Sequence, residues 1–98
     1  MGNILRYTEA AESHLIELHN DPSKKRILKD VLKALKYMKV NLRHPSLNTH
    51  QYHSLSGVNG EKIFEAYAQQ ATSEAYRIFW HYGPGKSVVS IVAIIPHP

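Results

Sequence analysis

The sequence predicts an α+β domain: a short N-terminal strand, a helical hairpin, then an antiparallel meander of three to four strands, all within one domain spanning residues 1–98. Three observations carry this. Apolar residues recur at helical spacing only in the first half of the chain. Beyond about position 50 the pattern changes to short runs rich in β-branched and aromatic residues. Turn signals, Asn59-Gly60 and "GPGK", punctuate those runs. Helices kept apart from a series of hairpins imply a mostly antiparallel sheet covered by the helices.

The elements follow in order. "NILRY" reads as a first strand. Thr8 can cap a helix through its hydroxyl, with Glu9 and Glu12 favourably placed in the first turn. Ala11, Leu15 and Leu18 then repeat on one face, and this helix stops near Asn20. Asp21 is a second cap, and Pro22 suits a first helical position because its missing N–H would be unpaired there. A longer helix follows, about Pro22 to Leu42. Leu28, Val31, Leu32, Leu35, Met38 and Leu42 form its core stripe, and Lys25, Lys29, Lys33, Lys36 and Arg43 form another, rotated away from it. Pro45 disfavours helix at His44. "QYHSL" can form a strand, and Asn59-Gly60 signals a hairpin in which both residues accept positive φ. "KIFEAYA", the loop "QQATSE", the strand "YRIFWHY" and "SVVSIVAII" complete the chain. The last is β-branched and nearly unbroken, which predicts a central strand buried on both faces.

Composition narrows the function classes. The chain is 43% hydrophobic and 20% charged, a globular rather than a disordered balance. With 98 residues it can build one small core. No cysteine is present, which excludes disulfides, thiolate metal sites and thiol nucleophiles. The N-terminus lacks a signal peptide's charged start and apolar core, and no apolar run approaches the ~20 residues of a membrane span. A cytoplasmic protein without membrane contact is the expectation. No phosphate-cradling glycine loop and no serine nucleophile motif appears.

Charge is concentrated. Eight of the twelve Lys and Arg lie between Lys24 and Arg43, against one acid, Asp30. Such a local field attracts nucleic acid or an acidic partner. A solvated lysine face would look the same. "HPSLNTHQYHSL" holds His44, His50 and His53, with no Asp or Glu nearby in sequence and looser spacing than a zinc site requires. No metal and no cofactor is expected.

"YRIFWHYGPG" poses the sharpest question, because Arg77 interrupts one of the most apolar strands. Strict alternation puts Arg77, Phe79 and His81 on one face and Ile78 and Trp80 on the other. Arg77 is then expected on the sheet face away from the core, where it incurs little burial cost, either free or paired with Glu65 or Glu74.

"AYRIFWHY" followed by "VSIVAIIPHP" resembles the RelE/ParE toxin superfamily of bacterial toxin–antitoxin systems, and the resemblance covers nearly the whole chain. It implies a RelE-like fold and a small antitoxin protein as partner. RelE-like members are ribosome-dependent, metal-free mRNA endonucleases, in which the RNA 2′-hydroxyl attacks its own adjacent phosphate. ParE-like members poison DNA gyrase, and a non-catalytic binding module is a further alternative. Arg77 matches the arginine that such nucleases place beside the scissile phosphate, and His97 matches the near-terminal histidine of the YoeB-like branch. That branch ends His-Tyr where this chain has His97-Pro98, and RelE proper carries two lysines in the preceding strand where this chain has only Lys62. The chemistry needs a base, a cation and an acid. Arg77 suits the cation, and His97 and His81 suit proton transfer because histidine titrates near neutrality. Lys25, Lys29, Lys33, Lys36 and Arg43 are the expected RNA-backbone contacts. Tyr52 and His53 are expected to line the RNA site, whereas Trp80 reads as core.

Overall fold

The computed structural model describes residues 2–70 and 74–98, so the loop expected between Ala68 and Ala75 lies partly outside the described residues. Strand β1 (Ile4–Tyr7) leads into helix α1 (Glu9–Asn20), and helix α2 (Lys25–Val40) follows a 3₁₀ turn at Pro22–Lys24. A second 3₁₀ turn at Pro45–Leu47 precedes strands β2 (His50–Ser56), β3 (Lys62–Tyr67), β4 (Tyr76–Tyr82) and β5 (Val88–Pro96).

The caps act as their chemistry dictates. Thr8 Oγ1 accepts from the Ala11 N–H at 3.2 Å, satisfying one of the orphan donors of α1. Asp21 accepts from both the hydroxyl and the N–H of Ser23, which holds its carboxyl below the usual carboxylate range. Pro22 opens the 3₁₀ turn rather than α2, which begins at Lys25. Helix α2 ends at Val40, short of Leu42, where the Asn41 N–H closes the last turn on the Tyr37 carbonyl. Its buried stripe is Val31, Ala34, Leu35 and Met38. Leu32 was expected in that stripe, but it lies at the stripe's edge and is 49% exposed.

The five strands form one sheet in the order β1-β5-β4-β3-β2. Strand β1 runs parallel to β5, and every other pair is antiparallel. Helices and sheet close a core in which Ile78, Trp80, Ile91 and Ile94 meet Leu18, Val31, Leu35 and Met38. Trp80 is fully buried and stacks on Phe64 with ring centroids 4.9 Å apart, so truncating it would cost about 3–5 kcal/mol. Strand β5 lies inside the sheet, as its sequence predicts. It is not buried throughout, because a bulge opposite Phe79 and Trp80 sends both Ile91 and Ile94 into the core and leaves Val92 and Ala93 half-buried.

One turn and one strand register depart from simple hairpin geometry. The β2–β3 hairpin has a three-residue loop, in which the Gly57 N–H bonds the Glu61 carbonyl and only Gly60 takes a positive φ, at 82°. Asn59 keeps a negative φ, so this is the bulged hairpin type rather than the two-residue type. Further along, Ser56 pairs with Lys62 but Gln51 pairs with Phe64, so β2 carries three more residues than β3 between those points. That slip determines which β2 side chain faces β3.

Candidate functional site

Cross-strand partners share a face of a sheet. The pairs Tyr67↔Arg77, Glu65↔Phe79 and His50↔Glu65 therefore collect His50, Glu65, Tyr67, Arg77 and Phe79 on the face away from the helices. Alternation adds His81 further along β4.

Arg77 is on the expected face but not in the expected environment. It is only 6% exposed. Its guanidinium lies over the Tyr67 ring at 3.6 Å, Nη1 donates to the Gln69 carbonyl at 2.6 Å, and Nε approaches Glu65 Oε2 at 3.5 Å. Burial of this cation is therefore offset by a carboxylate, a carbonyl and an aromatic face rather than avoided. Nε itself makes an ion-pair contact without a well-formed hydrogen bond.

Glu65 is the hub. It is 2% exposed, and its two oxygens are divided among three cationic or potentially cationic groups. Oε1 meets His50 Nε2 at 2.8 Å, and Oε2 meets His97 Nδ1 at 3.1 Å beside Arg77. The two imidazoles differ in what remains free. The Nδ1 of His50 lies 2.8 Å from the Asn48 carbonyl, which can only accept, so Nδ1 carries a proton. With the Glu65 carboxylate at its other nitrogen, His50 has no nitrogen left for a substrate. His97 uses only Nδ1. Its ring is 46% exposed, and its Nε2 has no hydrogen-bond partner among the described residues. The His97 N–H donates to the Ala75 carbonyl at 2.8 Å, which fixes this segment against the start of β4. A buried carboxylate that orients one imidazole and leaves its far nitrogen bare is a proton-transfer device of the kind found in serine-protease triads.

His81 does not join this group, because Phe79 stands between it and Arg77 on the same face. The His81 Nδ1 donates to the Tyr82 carbonyl at 2.8 Å, and its Nε2 is 4.0 Å from Glu61 Oε2. Nearby, Arg6 donates to Ser90 Oγ at 2.7 Å, and Ser90 donates on to the Gly83 carbonyl at 2.6 Å. The Glu61 carboxyl is held below the usual carboxylate range, first by its own backbone N–H and next by that of Asn59. Tyr52 is half-buried with its ring edge-on to Phe79 at 5.1 Å, and His53 is exposed on β2.

Lys25, Lys29, Lys33, Lys36 and Arg43 are all exposed. Helix α2 buries its apolar stripe against the other face of the sheet, so its lysines are not gathered around Arg77. Asp30, the one acid in this basic segment, is engaged by Arg26 at 3.9 Å and by Gln69 at 3.1 Å. Among the described residues no helix is long and apolar enough to cross a membrane.

Two members of the cluster were not singled out from sequence. Glu65 appeared only as a partner for Arg77, and His50 was set aside because no acid stands near it in the chain. The alternation of "KIFEAY" does place Glu65 on the Arg77 face. His50 gave no such signal: counting outward from Ser56↔Lys62 puts His53 opposite Glu65, and the slip in β2 puts His50 there instead.

No known family model matches the chain by sequence, and no curated protein does. Solved structures do match along its whole length. A YoeB/ParE toxin from Agrobacterium tumefaciens superposes with a TM-score of 0.65 at 12% identity, covering 97% of this chain and 99% of that one. The archaeal RelE–RelB complex from Pyrococcus horikoshii contains a chain matching with a TM-score of 0.63 at 14% identity, over 98% and 96% of the two chains. The RelBE2 toxin–antitoxin complex from Mycobacterium tuberculosis matches with a TM-score of 0.56 at 21% identity, over 99% and 100%. The chain shares its fold with these toxin structures.

Proposed function

We propose that this chain is the toxin of a toxin–antitoxin pair and acts as a metal-free endoribonuclease on mRNA at the ribosome, in the cytoplasm, with a small antitoxin protein as its partner. The observation that carries the reading is the Glu65–His97 contact, which leaves His97 Nε2 bare beside the buried Arg77. The likeness to YoeB, RelE and RelBE2 structures supports it at the level of fold.

Each residue has a role in this reading. His97 Nε2 takes the proton of the RNA 2′-hydroxyl. The 2′-oxygen bonds to the adjacent phosphorus, and the bond from phosphorus to the 5′-oxygen breaks. The products are a 2′,3′-cyclic phosphate and a 5′-hydroxyl, the latter protonated by the imidazolium just formed or by water. Glu65 holds the His97 ring with Nε2 outward and stabilises the imidazolium. Arg77 pairs with Glu65 and supplies a fixed positive charge beneath the phosphate. His50 balances the second oxygen of Glu65. His81, remote from this dyad, has no proton to move here.

Cleavage mapping on mRNA in translating ribosomes tests the reading. The wild type is expected to cut at defined codon positions, and His97→Ala to lose about 10²–10⁴-fold in rate, the usual range for a proton-transfer group. Absence of cuts by the wild type would reject the ribonuclease reading. That outcome would favour a non-catalytic binding module, in which the buried Arg77, bonded to the Gln69 carbonyl, braces the sheet, or a gyrase inhibitor.

A further inference from the structure

A cleft of about 440 Å³ lies at the β2 edge of the sheet, between the segment Arg43–His50 and the rings of Phe64 and Tyr82. Its size falls within the ~300–1,000 Å³ of small-ligand sites.

Both walls are braced by internal contacts. On one side, Thr49 Oγ1 donates to the Leu42 carbonyl at 2.7 Å, and His44 Nδ1 accepts from the Ser46 N–H at 3.1 Å. The His44 ring lies flat on Tyr37, with centroids 3.8 Å apart and planes 7° apart. On the other side, Tyr82 is 60% exposed, yet its ring is held edge-on by Phe64 at 5.5 Å and Trp80 at 4.9 Å.

The lining chemistry selects a ligand class. It includes the exposed cation Arg43, the His44 imidazole and two aromatic rings, while the His50 imidazole is engaged at both nitrogens. Neutral His44 accepts at Nδ1, so its Nε2 carries a donor proton. An anionic ligand with a flat ring matches that set. The cleft is also continuous with two features already described. Lys33 lies over the Tyr37 ring at 5.9 Å, so the basic face of α2 leads through Tyr37 and His44 to the cleft wall. On the far side His50 lines the cleft and bonds Glu65.

We propose that this cleft is a nucleobase subsite for single-stranded RNA, in which Tyr82 stacks on one unpaired base, Arg43 contacts its phosphate and His44 donates to the base edge. It rests on the reading of RNA as the substrate. It also gives the lysines of α2, which packs on the other face of the sheet from Arg77, a place on the RNA path. RNA tracks along α2, turns the sheet edge at the cleft and passes His50 to reach His97. Bases are splayed onto aromatic rings in this way in single-strand recognition, and stacking tolerates any base while edge contacts select one.

The test uses His97→Ala protein, so that RNA survives, and a fluorescent single-stranded RNA oligonucleotide followed by anisotropy. Tyr82→Ala is expected to weaken binding roughly tenfold and Tyr82→Trp to retain it. Arg43→Ala is expected to lower the salt dependence by about one phosphate contact. An abasic nucleotide at one position should weaken binding to the His97→Ala protein and cost nothing further once Tyr82 is Ala. Equal affinity with Tyr82 as Ala, or an abasic penalty that is the same with and without Tyr82, would overturn the subsite. The two proposals fail separately. A chain that binds RNA through Tyr82 but never cuts it keeps the subsite and loses the ribonuclease reading. A chain that cuts with unchanged rate and position when Tyr82 is Ala keeps the ribonuclease reading and loses the subsite.

Discussion

The open face of the sheet gathers the same three residue types twice, a histidine, a glutamate and an arginine, around Glu65 on β3 and around Glu61 in the β2–β3 loop, and the two groups are built differently. In the first group Glu65 is 2% exposed, touches three partners and holds His97 with a nitrogen facing solvent. In the second group the Glu61 side chain is 28% exposed and bonds its own hairpin backbone, and it stands 4.0 Å from an almost buried His81. Arg77 stacks on Tyr67 beside Glu65, whereas Arg6 bonds Ser90. A carboxylate commits an imidazole only when burial leaves it no other partner. Among the described residues Glu65 accepts from no backbone donor, so it orients side chains. Glu61 has the Asn59 N–H, so it orders a loop. Phe79, fully buried between the two groups, keeps them apart.

The largest break in this comparison is kinetic. His97→Ala should lower RNA cleavage by about 10²–10⁴-fold, while His81→Ala should stay within a few-fold of wild type, measured as initial rates on the same ribosome-bound message. Equal losses would erase the distinction between the two groups. Stability comes next. Arg77→Ala takes the permanent cation from beside a buried Glu65 and leaves it only two imidazoles, and urea denaturation should show a loss of about 3–5 kcal/mol. Arg6 is exposed, so Arg6→Ala should cost under about 1 kcal/mol. A smaller effect separates the groups by pH. The Glu61 carboxyl is depressed in the folded chain, so its contribution is present above its usual value of 4.5 and is lost as pH falls through the lower folded value. Hydrogen exchange at Asn59 should therefore accelerate below that pH in wild type, and Glu61→Gln should show no such step. The smallest effect belongs to α2. Replacing Lys25, Lys29, Lys33 and Lys36 with Ala should leave the melting curve nearly unchanged but flatten the dependence of RNA affinity on salt. An unchanged slope would remove the helix from the RNA path.

Much of the fold was legible because its signals are local. The Thr8 cap, the break at Asp21-Pro22 and the β-branched run of β5 each follow from a few neighbouring residues. The site was half legible. Alternation put Arg77 on the correct face but could not show Tyr67 stacked on it, because that contact depends on the register of β3 against β4. His50 was harder still. Three extra residues in β2 decide that it, and not His53, meets Glu65, and nothing in "HQYHSLS" marks where that slip falls. The basic helix was legible as a helix and as a cation cluster. Its position on the other side of the sheet from Arg77 is a matter of topology, which a charge count does not contain.

Glu65 presents His97 with its Nε2 bare. Nitrogen-15 NMR of the imidazole rings reads this directly. In its neutral form, wild-type His97 should carry its proton on Nδ1 and show an unprotonated Nε2, and Glu65→Gln should weaken that preference while the rest of the amide spectrum stays in place. A neutral His97 protonated on Nε2, or a tautomer balance that Glu65→Gln does not move, would contradict the account.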